Sequence, residues 1–208
     1  MKFRNKHLYY NRILKKTHEY VKNYMNDLND ISHDYNHILL VIKIALDIAN
    51  KEGITNPNDL FHIEMGSLLH DIGDSKYTNG EIQAVIIDNF LKKMKGLHIQ
   101  DKKEIIYISS NISLSKDIDV EKFNNQLKLN IVQDADRINS LGAIGIMRYL
   151  SYNIKKAKEP SFETTIENMK TRTKKVMKFI RTKSGKLIAK KHVKIINDFI
   201  KNYEWMTK

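Results

Sequence analysis

The sequence predicts an all-α protein, and three observations support that fold class. Apolar residues recur at spacings of three and four, the period of an amphipathic helix, along most of the chain. No alternation of apolar and polar residues, which is typical of a strand, persists anywhere. Two prolines and eight glycines are too few for a turn-rich β architecture. We therefore predict one helical domain over residues 1–208, long enough to bury a core without disulfides.

Three helices are predicted in the first part of the chain. Residues 11–28 place apolar side chains on one helical face. Residues 37–53 contain the run HILLVIKIA, whose continuous apolar character indicates a more buried helix that ends at Gly53. After an Asn-Pro-Asn turn, residues 59–73 are predicted to form a third helix with Asp59 as its N-cap.

The remainder of the chain continues the helical pattern. Residues 80–96 and 99–114 predict two helices separated by the glycine that ends the first of them. Residues 124–157 read as one long or kinked helical stretch, and residues 165–205 as two closing helices. The segment 116–125 has the weakest pattern and is predicted to be a loop.

Composition restricts both the compartment and the chemistry. The hydrophobic fraction of 41% and the charged fraction of 29% are ordinary for a soluble globular protein. No window is apolar enough for a signal peptide or a membrane span, so we expect a cytoplasmic protein without a membrane partner. The chain has no cysteine, which suits a reducing compartment and leaves only nitrogen and oxygen ligands for a metal.

The formal net charge of +12 points to anionic partners without choosing among them. Nucleic acid, an anionic surface and phosphorylated small molecules are all compatible with it. A lysine-rich solvated surface is the alternative, since lysine supplies most of the excess.

Four side chains with metal-ligand chemistry lie where apolar helical runs meet polar residues. They occur in HILLVIKIA, in SLLHDIGDSK and in IVQDADRIN: His37, His70, Asp71 and Asp136. Helix bundles commonly build metal sites from inward-facing residues of neighbouring helices. Two imidazoles and two carboxylates suit Mn, Fe, Zn, Co or Ni. A hydrogen-bonded histidine beside a helix-capping aspartate remains the alternative for the His70-Asp71 pair.

These residues and their contexts resemble a known family. The order His37, His70-Asp71, Asp136 is similar to the H…HD…D signature of the HD-domain metal-dependent phosphohydrolase superfamily. The blocks SHDYNHI, LLHDIGDSK, IVQDADRINSLGAIGIMR and TKSGKLIAKKH resemble its small single-domain bacterial branch, across about residues 19–205. The resemblance implies an HD-type helical bundle around a central metal site and hydrolysis of a phosphoester or phosphoanhydride.

Carried over by position, the resemblance implies one divalent ion with four ligands: His37, His70, Asp71 and Asp136. We predict manganese, with Co, Ni, Fe, Zn or Mg as alternatives. Asp134 is the rival for the last ligand, but residues two apart on a helix point to different faces, so Asp136 is preferred. Two-metal branches carry further histidines before the last aspartate; His98 alone lies in that interval, which favours one ion.

The resemblance also implies roles around the metal. Asp74 is the candidate catalytic residue that orients the attacking water or takes its proton, with an Asx-turn as its alternative. Asp34 either holds the His37 ring by its second nitrogen, with His33 beside it, or caps the next helix. Phosphate-binding candidates are basic residues: Lys76, Arg137, Arg148, Lys186, Lys190 and His192.

The predicted reaction is therefore hydrolysis of a small phosphorylated metabolite, namely a nucleoside triphosphate, to monophosphate and pyrophosphate. The resemblance is to a branch with nucleotide pyrophosphohydrolase activity, and a basic surface suits such a substrate. The alternatives are a nucleotidase or phosphomonoesterase, a protein that binds or cleaves nucleic acid, and a metal-containing scaffold without turnover. We expect a monomer or a homodimer.

Overall fold

The computed structural model describes residues 3–28, 34–74, 78, 82–113, 126–156 and 161–208. These residues form nine α-helices and no strand, which confirms the predicted all-α class. In chain order the helices are α1 (Phe3–Leu28), α2 (Tyr35–Lys51), α3 (Pro57–Leu69), α4 (Gln83–Lys92), α5 (Ile99–Ser110), α6 (Leu127–Asn139), α7 (Gly142–Lys156), α8 (Phe162–Lys178) and α9 (Lys183–Met206). Within the described ranges, no helix combines the length and apolarity that crossing a bilayer requires.

Helix α2 lies at the centre, and this explains its continuous apolar run. One of its faces carries Val41 and Ala45 into a core shared with α6, α8 and α9. Another face carries Ile38 and Ile42 into a second core shared with α1, α3, α4 and α5. Leu46 packs against both cores. Because the helix is covered on two faces, its exposed positions form one narrow stripe, and apolar residues occupy most of the others; the stripe is Asn36, Leu39, Lys43, Asp47 and Asn50.

Two helix boundaries differ from the sequence prediction. The stretch predicted at 124–157 is divided into α6 and α7, because the chain turns at Gly142 with a φ of 68°, a left-handed conformation that favours glycine. The prediction that Asp59 is the N-cap of α3 is wrong. The Asn56 side chain caps α3 by accepting from the Asn58 N–H at 2.9 Å. Asp59 then lies in the first turn, where a carboxylate favours the helix dipole.

Close packing of α3 against α5 depends on one glycine. A Cβ atom at Gly66 would lie 2.4 Å from a methyl carbon of Ile108, far inside van der Waals contact. Glycine therefore allows the two helices to approach closely, at the expense of helix propensity. This contact holds the C-terminal end of α3, with the His70-Asp71 pair, against the bundle.

Candidate metal centre

The first candidate ligand belongs to the opening turn of α2. Asp34 caps this helix, since its Oδ1 accepts a hydrogen bond from the main-chain N–H of His37 at 2.9 Å. Of the two roles considered for Asp34, helix capping is therefore the contact that the structure shows. The cap places His37 at the buried start of α2, with 4% of its surface exposed. His33, its predicted companion, lies outside the described residues.

The second and third candidates occupy the turn that ends α3. The helix ends at Leu69, and the chain then turns through His70 and Asp71 to Gly73, whose φ is 71°. In a continuing helix, adjacent side chains would diverge by about 100°. His70 still has helical dihedrals, with φ −63° and ψ −30°, yet Asp71 Oδ2 lies close to the His70 ring as well as to His37.

Four ligand-type atoms from three segments meet in the interior. The Nε2 atoms of His37 and His70 are 3.3 Å apart. Asp71 Oδ2 lies 3.3 Å from His37 Nε2 and 3.4 Å from His70 Nε2. Asp136 Oδ1 lies 3.5 and 3.7 Å from the same two nitrogens. Atoms that bind one ion at about 2.0–2.2 Å are separated by roughly 3–3.5 Å, so the spacings among His37, His70 and Asp136 fit a shared divalent cation, and Asp71 lies close to both imidazoles.

Asp134, the rival for the last position, has a different role. Its Oδ2 accepts from the N–H of Thr182 and from its hydroxyl, both at 2.7 Å. The N–H of Arg181 also donates to this carboxylate, at 2.9 Å to Oδ1. Asp134 thus anchors the start of α9, whereas Asp136, about 200° further round α6, faces the histidines. Burial raises the pKa of Asp134, and its hydrogen bonds oppose that shift.

The protonation of His70 fits a metal ligand. Its Nδ1 donates to the Ser67 carbonyl oxygen at 2.7 Å. Because a carbonyl only accepts, the neutral ring carries its proton on Nδ1 and keeps a lone pair on Nε2, toward the cluster. Burial alone would lower the pKa of His70, but the nearby carboxylates of Asp71 and Asp136 raise it overall. The surplus of negative charge favours a cation at this place.

Two side chains of the described residues approach the other ring nitrogen of His37. Asn139 Nδ2 lies 2.6 Å from His37 Nδ1, and Arg148 Nη1 lies 2.8 Å from it. Asn139 is buried, with 4% of its surface exposed, and was not singled out in the sequence. It lies three residues after Asp136 on α6, and this spacing, which places both on one helix face, was the signal that could have found it.

Comparison with known proteins identifies the fold family. Residues 34–141, which contain all four clustered side chains, match the model of the HD domain. The chain belongs to the HD-domain family. HD domains bind a divalent metal, and His37, His70 and Asp136 offer three ligand atoms within 4.8 Å of one another. The predicted family is thereby confirmed.

Relatives of this HD domain include bacterial and viral proteins. It is 30% identical over 118 residues to YpgQ of Bacillus subtilis, a match that covers 56% of this chain and 55% of YpgQ. It is also 30% identical over 145 residues to an uncharacterized protein of Acanthamoeba polyphaga mimivirus, covering 64% of this chain and 58% of that protein. Each match thus spans less than two thirds of the curated relative.

Solved structures match along most of their length. An HD-superfamily hydrolase from Bacillus thuringiensis has a TM-score of 0.74 and 26% identity, covering 96% of this chain and 100% of that one. Lin1889 from Listeria innocua has a TM-score of 0.73 and 27% identity, covering 94% and 95%. YpgQ, solved in complex with ADP, shares the fold with a TM-score of 0.73 and 22% identity, covering 92% and 96%. Together, the family and the Bacillus thuringiensis hydrolase support a metal-dependent hydrolase, whereas the likeness to YpgQ at this identity shows the fold alone.

Arg137, predicted to bind phosphate, has its guanidinium in contact with the segment that follows α8. Its guanidinium is buried, and Nη1 donates to the Phe179 carbonyl oxygen at 2.6 Å. The same group lies 5.9 Å from the centre of the Phe179 ring and 4.0 Å from Asp134. Arg137 therefore joins α6 to the segment between α8 and α9. Its position beside Asp136 in sequence was misleading, because successive helical residues point in different directions.

The other residues predicted to act in the site lie at several places in the HD domain. His192 lies against Gly142, and burial lowers its pKa. His98 is exposed and caps α5, with its Nδ1 accepting from the Gln100 N–H at 3.4 Å. Asp74 directly follows the glycine of the His70-Asp71 turn and is partly exposed. The two lysines predicted on α9 have exposed side chains: Lys186 and Lys190. Lys76 lies outside the described residues.

An open groove lies beside the metal-site turn of the HD domain, between α1 and α4. Its volume is about 330 Å³, and three aromatic rings, an amide and a lysine contribute to its lining: Tyr20, Tyr24, Thr78, Ile86, Asn89, Phe90 and Lys93. The hydroxyl of Tyr24 accepts from the Gly73 N–H at 3.2 Å, which connects the groove to the turn that carries Asp71. The rings of Tyr20 and Phe90 are stacked with centroids 4.0 Å apart.

Proposed function

We propose that this chain hydrolyses nucleotides, converting a nucleoside triphosphate to its monophosphate and pyrophosphate. The observation that carries the proposal is the approach of two carboxylate oxygens, one from the turn after α3 and one from α6, to within 3.3–3.7 Å of the imidazole nitrogens of His37 and His70, which are themselves 3.3 Å apart. The complex of YpgQ with ADP supports a nucleotide ligand. The net charge of +12 supports an anionic substrate.

In this proposal, one divalent ion, for which manganese is our first choice, is held by four clustered side chains: His37, His70, Asp71 and Asp136. When bound, such an ion supplies a Lewis acid and lowers the pKa of a coordinated water. In this proposal His70 does not act as a proton carrier. Ser67 fixes the His70 ring proton on the nitrogen remote from the cluster, at 2.7 Å, so the ring can only bind and orient.

The remaining steps are assigned to residues near the cluster. We propose that Asp74 takes a proton from the attacking water, because it follows the turn that bears two candidate ligands. The water oxygen forms a bond to the α-phosphorus, the bond to the bridging oxygen breaks, and pyrophosphate leaves. Arg148, beside His37, neutralises charge on the phosphate oxygens.

A metal and substrate screen tests this proposal. After chelation, we expect no turnover, and activity should return on addition of Mn²⁺ in preference to Mg²⁺. Hydrolysis in ¹⁸O-labelled water should place the label in the nucleoside monophosphate, because attack is at the α-phosphorus. Product analysis by ³¹P NMR separates pyrophosphate from orthophosphate. Faster release of orthophosphate from monophosphates would favour the phosphomonoesterase alternative, and metal-independent turnover would contradict the site.

We propose the groove between α1 and α4 as the binding site for the nucleobase. Its aromatic rings offer apolar contact, and Asn89 offers a hydrogen-bonding edge. Base–aromatic stacking contributes about 1–3 kcal/mol per base. Replacement of Tyr20 by alanine should therefore raise KM for a nucleoside triphosphate by about tenfold, while hydrolysis of inorganic tripolyphosphate changes little.

Two further variants sharpen this test. Asn89→Ala removes an exposed amide, which leaves the fold unaffected, and should alter the preference among bases. Trp205→Ala removes another aromatic side chain, 79% exposed near the end of α9, and serves as the control with unchanged KM. Equal loss of activity on nucleotide and tripolyphosphate in Tyr20→Ala would exclude the groove as a base site.

A further inference from the structure

Two chemically different groups compete for one atom, Nδ1 of His37. Asn139, from the last turn of α6, approaches this nitrogen to 2.6 Å. Arg148, from α7, approaches the same nitrogen to 2.8 Å. The opposite nitrogen, Nε2, is the atom that faces His70, Asp71 and Asp136.

The guanidinium of Arg148 can only donate a hydrogen bond. When it donates to Nδ1 of His37, that nitrogen must provide a lone pair, and the neutral ring carries its proton on Nε2. A protonated Nε2 has no lone pair to give to a cation. The contact with Arg148 therefore stabilises the form of His37 that is unable to bind a metal through Nε2.

Asn139 can support either form. With its nitrogen toward the ring, it donates to Nδ1 and also reaches the main-chain oxygen of His37 at 3.4 Å. With the amide turned by 180°, its oxygen accepts a hydrogen bond from a protonated Nδ1, which leaves the lone pair on Nε2. Of these two neighbours of Nδ1, Asn139 alone has an atom that can accept.

We propose that Asn139 is the positioning residue that prepares His37 for the metal, and that Arg148 opposes it. The inference rests on the metal site of the proposed function and goes beyond it. The two arrangements are tautomers of one neutral ring and differ only in which nitrogen bears the proton. An anionic phosphate that draws Arg148 away then favours the arrangement that binds metal, so phosphate and metal strengthen each other's binding.

His70 provides the internal contrast. Its Nδ1 meets the main-chain oxygen of Ser67, which has no donor form and stays within the same turn. The tautomer of His70 is thus set by the backbone. For His37, two side chains from other helices act on Nδ1, while Nε2 faces the lone pair of His70 Nε2 and two carboxylates, which are the groups that a bound cation would share. Variation at positions 139 and 148 should act on His37 and leave His70 unchanged.

The first test measures Mn²⁺ affinity by titration of the chelator-treated full chain. Asn139→Leu removes the acceptor and should weaken binding by about 10- to 100-fold, the range for residues that orient a metal ligand. Asn139→Asp, which retains an acceptor, should bind at least as tightly as the wild type. Asn130→Leu is the matched control, since Asn130 is also a buried asparagine of α6. Equal weakening by Asn139→Leu and Asn130→Leu would refute the role of Asn139.

The second test observes the His37 tautomer directly. Long-range ¹H–¹⁵N spectra of protein with labelled histidine distinguish a protonated ring nitrogen from an unprotonated one. Arg148→Met should shift His37 toward protonated Nδ1, and Asn139→Leu toward protonated Nε2, with His70 unchanged in both variants. Absence of these opposite shifts would overturn the inference. Neither readout requires turnover, so failure to hydrolyse nucleotides would leave this result intact and refute only the proposed substrate.

Discussion

Replacement of Asp136 by alanine is expected to remove metal binding and lower kcat/KM by at least about 10³-fold, which corresponds to about 4 kcal/mol of transition-state stabilisation. The carboxylate lies 3.5 and 3.7 Å from the two imidazole nitrogens and is the one candidate ligand contributed by α6. Metal content after dialysis and nucleotide turnover measure the effect.

The fold should tolerate the same replacement. The Asp136 side chain is 30% exposed, so water can replace the lost carboxylate as a hydrogen-bond partner and the fold keeps its stability. Asp47→Ala, which removes an exposed carboxylate paired with Lys51 on α2, is the control and should retain both metal and activity. Retention of the metal by Asp136→Ala would show that the histidines and Asp71 suffice, and would contradict the ligand assignment.

Replacement of Asp134 by alanine should have the opposite result: large destabilisation with the metal site preserved. The main-chain N–H groups of Arg181 and Thr182 and the Thr182 hydroxyl would lose their acceptor in a buried place. Orphaned buried donors cost about 1–3 kcal/mol each, so we expect a loss of about 3–5 kcal/mol. For a chain of this size that lowers Tm by roughly 10 °C.

Calorimetry and Mn²⁺ titration well below Tm separate the two effects. Asp134→Asn keeps one acceptor oxygen and should lose about half as much stability. Mn²⁺ affinity in both Asp134 variants should stay close to that of the wild type. If Asp134→Ala instead abolished metal binding while Tm was unchanged, Asp134 would be the metal ligand and Asp136 the residue that anchors α9.

Asp134 and Asp136 show how much of the site the local sequence pattern can predict. Both lie in the same apolar-to-polar boundary of α6, and helical geometry alone indicates that only one of them can face a given point. The geometry does not say which face points inward to α2 and which to α9. Packing of the three helices decides this, and the family resemblance had anticipated the orientation that the structure shows.

Arg137 and Asn139 show where local pattern fails. A basic residue beside a metal-ligand candidate predicts a phosphate contact, yet Arg137 donates to Phe179 at the other side of α6. Asn139 has no charge and is not a typical metal ligand, so the sequence did not predict it as a site residue. Its 2.6 Å contact with His37 joins residues 102 positions apart and depends on how α6 packs across α2.

Helical periodicity, the scarcity of glycine and proline, and the absence of cysteine were enough to determine an all-α chain whose metal ligands must be nitrogen or oxygen. These are properties of each segment by itself. The tertiary structure alone decided the division at Gly142, the inward face of α6 and the two neighbours of His37 Nδ1. The reason is physical: the partner of a buried polar group lies on another helix, and helix packing sets which atoms meet.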